Sequence, residues 1–111
     1  MDRMNDYSSF LSVAATVMVS VVDIETGGKV LISTPARATC SVKEGNPQPA
    51  TISWWINDKE NSDISGLIYD FTPPDAEATK IECRASNGLV ASASVTVTAE
   101  GRSKTAIINT L

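Results

Sequence analysis

Histidine is absent from these 111 residues, which removes the commonest general base and the commonest neutral metal ligand. No Gly-rich phosphate loop follows a strand-like segment, and the neighbouring carboxylates Asp58 and Glu60 have no acid–base partner in their stretch. No catalytic constellation is present, and the chain reads as a non-enzyme. Cysteine is scarce too. Cys40 and Cys83 are the two in the chain, far apart and in no CxxC pair. Two thiolates without histidine make a poor tetrahedral site, so neither a metal nor a cofactor is expected. Basic residues are outnumbered, nine Lys and Arg against thirteen Asp and Glu, and they form no run. The net charge of −4 argues against nucleic acid or an anionic membrane surface as a partner. No Asn-x-Ser/Thr sequon occurs, so N-glycosylation is not implied.

Long hydrophobic runs are also missing. The longest, Phe10–Val22, has thirteen residues, too few to span a bilayer as a helix. It fits the apolar part of a signal peptide, but Asp2 and Asp6 accompany Arg3 where a positive leader belongs, and no convincing small-residue cleavage site follows. The β-branched stretch Thr16–Ile24 equally fits a first strand, and an unusual N-terminus is the third reading. Three zones result: an N-terminal segment 1–22, a domain body 23–98, and a polar tail 99–111 that reads as a linker or a frayed terminus.

Within the body, helix signals are weak and strand signals are short and frequent. Lys29–Ser33 is β-rich after Gly27-Gly28. Ala36–Val42 alternates, placing Ala36, Ala38 and Cys40 on one face. Glu44–Pro49 is a loop with two prolines. Ile52, Trp54 and Ile56 share a face of Thr51–Ile56, Asn57–Ser65 is polar and turn-like, and Leu67, Tyr69 and Phe71 alternate until Pro73-Pro74. Thr79–Ser86 sets Ile81, Cys83 and Ala85 to one side. Asn87-Gly88 is a strong signal for a type I′ hairpin. Ala91, Ala93, Val95 and Val97 then alternate with serines and threonines. This pattern predicts an all-β sandwich or small barrel.

Cys40, Trp54 fourteen residues on, and Cys83 all fall at inward positions of that alternation. In a two-sheet sandwich a disulfide joins the facing sheets and an indole packs on it. Such a bridge points to an oxidising compartment; two reduced core cysteines in an intracellular domain are the alternative. Closing the 42-residue interval is worth about 4 kcal/mol in the chain-entropy model.

Cys40-Ser-Val-Lys-Glu-Gly-Asn-Pro-Gln-Pro, Ile52-Ser-Trp-Trp-Ile-Asn-Asp, Phe71-Thr-Pro and Cys83-Arg-Ala-Ser-Asn-Gly resemble immunoglobulin domains. More narrowly, they resemble the constant-like domains of nephrin, kirre, sidestep and nectin-type adhesion receptors, over roughly 29–98. The resemblance implies an immunoglobulin-like two-sheet β-sandwich of Greek-key connectivity, with an inter-sheet disulfide Cys40–Cys83 and Trp54 in the core. It departs from many immunoglobulin domains in one place: Ile81 stands where a corner tyrosine precedes the second cysteine, and only Asp75 and Ala76 remain of the usual lead-in. A hydrophobic residue there fits the nephrin-like subgroup. The short Trp54–Cys83 interval argues against the extra edge strands of a variable domain.

The implied function is protein–protein recognition, through a sheet face or end-to-end domain contacts, as a link in a cell-surface adhesion receptor with a homophilic or heterophilic partner. The alternatives are an intracellular muscle-type spacer and a secreted single-domain immune effector. Ser53, Trp55, Arg84 and Ser86 point outward by alternation, so Trp55 and Arg84 meet on one face if their strands are neighbours. Trp and Arg are favoured interface residues, but Trp55 is equally read as cover for the sheet, stacked under Arg84 or Lys59. The loop Glu44–Pro49 and the turn at Asn87-Gly88 are expected at one end of the sandwich, either for recognition or to stiffen the connection. Asp58, Glu60 and Asp63 lack a closing bidentate residue at calcium-loop spacing and read as a solvated face.

Overall fold

A computed structural model of the chain describes residues 12–49 and 51–101. The outer parts of the N-terminal segment and of the tail, 1–11 and 102–111, lie outside the described residues. Seven strands follow one another: β1 (Thr16–Asp23), β2 (Ala36–Lys43), β3 (Thr51–Ile56), β4 (Lys59–Glu60), β5 (Ile68–Phe71), β6 (Thr79–Ser86) and β7 (Val90–Val97). They form two antiparallel sheets of order β1-β2-β5 and β4-β3-β6-β7. The chain changes sheet between β2 and β3, between β4 and β5, and between β5 and β6. The result is an all-β, immunoglobulin-like two-sheet sandwich.

Period-two alternation builds this core. Ala38 and Cys40 of β2, Trp54 of β3, and Ile81 and Cys83 of β6 are buried together. Cys40 and Cys83 are bonded across the sheets with their Cα atoms 6.2 Å apart. Trp54 pairs with Cys83 in the β3–β6 register and is fully buried, and its indole N–H donates to Gly66 O at 2.9 Å. The buried polar end of the ring is thus satisfied by the loop leading into β5. Tyr69 packs against Trp54, with ring centroids 6.0 Å apart, and stacks on Phe71 at 5.1 Å.

A second small cluster holds Val30, Ala36 and Ala99, with Val21, Ile32, Phe71 and Val97 packed against it. β1 runs across the 22/23 boundary. Beyond Thr98, Ala99 is buried and Glu100 forms a parallel bridge with Leu31. Thr16–Asp23 is therefore a strand of the sandwich.

Three local expectations are corrected. Lys29–Ser33 is no strand: the chain turns at Leu31–Thr34, with Ser33 at φ 64°, and only the Leu31 bridge remains. Leu67 lies in the turn before β5 and is 45% exposed, although its carbonyl accepts from Cys40 N–H of β2 at 2.8 Å. Asn87-Gly88 is not a two-residue type I′ turn. The β6–β7 register pairs Ser86 with Val90, leaving a three-residue loop in which Gly88 alone takes positive φ, at 104°. The two-residue turn with both φ positive is Asn57-Asp58, at 52° and 68°, and it pairs Ile56 with Lys59 of β4, within the stretch expected to be only a turn.

Candidate functional site

The outer face of the four-stranded sheet collects the outward residues of β3 and β6. The register sets Ser53 opposite Arg84, Trp55 opposite Glu82, and Thr51 opposite Ser86. Ser53, Trp55, Arg84 and Ser86 therefore share one face, because β3 and β6 are central neighbours and a strand's alternate residues all leave by the same side.

The Arg84 guanidinium lies over the Trp55 ring, its carbon 3.7 Å from the ring centroid. Arg84 also forks onto the carboxylate beside it on the same strand: Nε donates to Glu82 Oε2 at 2.9 Å and Nη2 to Oε1 at 3.4 Å. Trp55 Nε1 donates to Ser53 Oγ at 3.1 Å. The assembly is layered, with the indole below, the guanidinium above and the carboxylate at its side. The Glu82 side chain keeps only 11% of its exposure and Arg84 35%, so this pair is less screened than an ordinary surface pair. Ser86 is committed to the loop, its hydroxyl accepting from Gly88 N–H at 3.2 Å.

A second pair extends the charge pattern along β6. Lys80 Nζ donates to Asp58 at 2.8 Å. That hydrogen bond and charge hold the Asp58 carboxyl below its ordinary range and raise the Lys80 ammonium. Asp58 is thereby engaged away from Glu60 and Asp63, and no cluster of three acidic, Cys or His side chains suited to a metal ion occurs among the described residues. Outward positions of β6 alternate in sign, Lys80, Glu82, Arg84, while those of β7 are Val90 and the small hydroxyls Ser92, Ser94 and Thr96. Glu82 was absent from the sequence-derived face, although the alternation that located Arg84 also locates it.

The loop Glu44–Pro49 and the β6–β7 loop meet at one end of the sandwich, where Asn87 Nδ2 donates to Pro47 O at 2.8 Å. No helix long and apolar enough to cross a membrane occurs among the described residues. No known family model matches the chain, and no curated protein matches it.

Proposed function

We propose that this domain is an immunoglobulin-superfamily recognition module of a cell-surface adhesion or receptor protein, working outside the cell and binding another protein through the outer face of the four-stranded sheet. The observation that carries the reading is the Trp55–Arg84–Glu82 stack. It sets a large aromatic surface and a fixed guanidinium on a face that also carries the hydroxyls of Ser92, Ser94 and Thr96 and the charged side chains Lys80 and Glu60. Aromatic and arginine anchors amid small polar residues are the composition of interface hot spots, since they add contact area at little loss of side-chain freedom. The inter-sheet disulfide supports the extracellular placement, because such bonds persist in oxidising compartments.

A bead assay tests the homophilic form. Beads carrying many copies amplify a weak contact through multivalency. Wild-type beads are expected to cluster and Trp55→Ala beads to stay dispersed, with circular dichroism showing both proteins folded at the assay temperature. Clustering that survives Trp55→Ala would refute the role of this face.

One observation favours a second reading, an intracellular spacer: Arg84 lids the Trp55 ring and is itself neutralised by Glu82, so the face is internally complete. Thiol titration of the protein taken from its native source separates the two. Thiols blocked until reduction fit the extracellular module; thiols that react on unfolding fit the spacer.

A further inference from the structure

One side chain links three segments at the end of the sandwich where the β2–β3 and β6–β7 loops meet. The Asn87 carboxamide donates through Nδ2 to Val13 O and to Pro47 O, both at 2.8 Å, and accepts through Oδ1 from Leu89 N–H at 3.1 Å. It ties three segments together: the residues leading into β1, the β2–β3 loop and its own β6–β7 loop. Val13 and Asn46 add a two-way bridge, N–H to O at 2.8 and 3.0 Å. Thr16 Oγ1 donates to Glu44 at 2.7 Å, and a Cβ on Gly45 would approach Ala15 to 3.2 Å. The residues before β1 are thus packed onto this apex, with the Asn87 amide as the link shared by all three segments.

The same residue precedes glycine. Gly88 has no side chain to shield its backbone nitrogen, and it lies exposed in open space. We infer that Asn87 is a deamidation site whose conversion unlatches the segment leading into β1 from the apex.

In the chemistry, the Gly88 nitrogen attacks Asn87 Cγ. The N–Cγ bond forms, the Cγ–Nδ2 bond breaks, and Nδ2 departs as ammonia, carrying the proton lost by the Gly88 amide. Water then opens the cyclic imide. Attack at Cγ gives aspartate, and attack at the main-chain carbonyl gives isoaspartate, with the chain running through the side-chain carbon. Water is the sole co-reactant.

Folding gates the first step. The amide is held on both its oxygen and its nitrogen, and the attacking Gly88 N–H is bonded to Ser86 Oγ at 3.2 Å. Ring closure requires these bonds to open together, so the folded chain reacts through its locally open fraction. Conversion is then one-way for the latch. The new carboxylate has no proton to donate, and it faces the Val13 and Pro47 carbonyl oxygens where two donated bonds had been.

The test incubates the full chain at mildly alkaline pH, folded and in denaturant, and follows the tryptic peptide Ala85–Arg102 by mass. Asn87 is the sole side-chain amide in that peptide, so the amide-to-acid mass gain locates itself. Conversion is expected in both samples, slower by roughly tenfold or more when folded. In parallel, Asn87→Asp should speed hydrogen exchange at the Val13 and Asn46 amides by roughly tenfold while leaving Trp54 and Cys83 protected. If Asn87→Asp does not fold, the aged wild-type product, separated by its added charge, gives the same reading. Equal rates folded and unfolded, no conversion at all when folded, or unchanged exchange at Val13 and Asn46 after conversion would each overturn the inference.

Discussion

The Arg84 guanidinium carbon sits 3.7 Å from the centre of the Trp55 ring, and the same guanidinium is forked onto Glu82. Removing it therefore does two things at once: it uncovers the indole and leaves a mostly buried carboxylate unpaired. Arg84→Ala should lower stability by about 1–3 kcal/mol, read from the urea midpoint at unchanged slope. Glu82→Gln, which keeps an acceptor for Arg84, should cost less. A Trp55→Ala/Arg84→Ala double-mutant cycle should return a coupling of about 0.5–2 kcal/mol. A coupling near zero would mean that the stack is contact without energy.

The bridge between Cys40 and Cys83 crosses the sheets beside Trp54. Replacing both cysteines by alanine should cost about 2–5 kcal/mol, which is comparable with the net stability of a domain this size. Denaturant unfolding of the variant checks this. Intact mass of the wild-type protein before and after reduction should show a gain of two hydrogens, and no gain would contradict the bridge.

Trp54 joins packing to a hydrogen bond, its N–H donating to Gly66 O at 2.9 Å. Trp54→Phe forfeits the bond and part of the ring and should cost about 2 kcal/mol, while Trp54→Ala should cost about 3–5 kcal/mol. Gly66 takes φ +78°, so Gly66→Ala should also destabilise, by about 1 kcal/mol, through backbone strain rather than lost contact. Thermal melts followed in the near-ultraviolet, where a buried indole gives a strong signal, distinguish these variants.

Burial raises the Tyr69 phenol above its ordinary range, while the Arg37 guanidinium and the Lys80 ammonium hold Asp70 and Asp58 below theirs. The signs are opposite. A raised phenol means that the unfolded chain loses its proton first, so stability is whole below about pH 10 and falls as pH rises through the folded value. Tyr69→Phe should flatten that alkaline limb. The lowered carboxyls contribute above about pH 4, and their share is lost as pH falls through the folded values. Both carboxyls are solvent-exposed, so Asp70→Asn should change the acid limb only slightly and less still at high salt.

Much of this was legible residue by residue. Apolar residues recur at every second position of β2, β3 and β6, so Cys40, Trp54 and Cys83 could be assigned to one interior from spacing alone, although Glu82 between Ile81 and Cys83 is buried as well. The outward set Ser53, Trp55, Arg84 and Ser86 followed from the same period. The errors lie where the chain bends. Asn87-Gly88 carried the strongest short hairpin signal, yet the β6–β7 register admits a third loop residue there. The tight turn went to Asn57-Asp58, where Asn57 Oδ1 accepts from Lys80 N–H at 2.9 Å across the sheet. Lys29–Ser33 looked β-rich, but its hydrogen bonds go to Glu100 and Pro73, partners far away in the chain.

From its sequence alone the chain determined which residues face inward, because a pleated strand alternates sides and water sorts apolar from polar at every second position. It could not determine which strands are neighbours, since pairing is settled by packing two whole sheets around Trp54 and the disulfide. That pairing alone laid Arg84 over Trp55, set Glu82 beside it, and brought Asn87 onto Val13, 74 residues earlier in the chain. Contacts between side chains so far apart depend on register and sheet order, quantities that no local run of residues encodes.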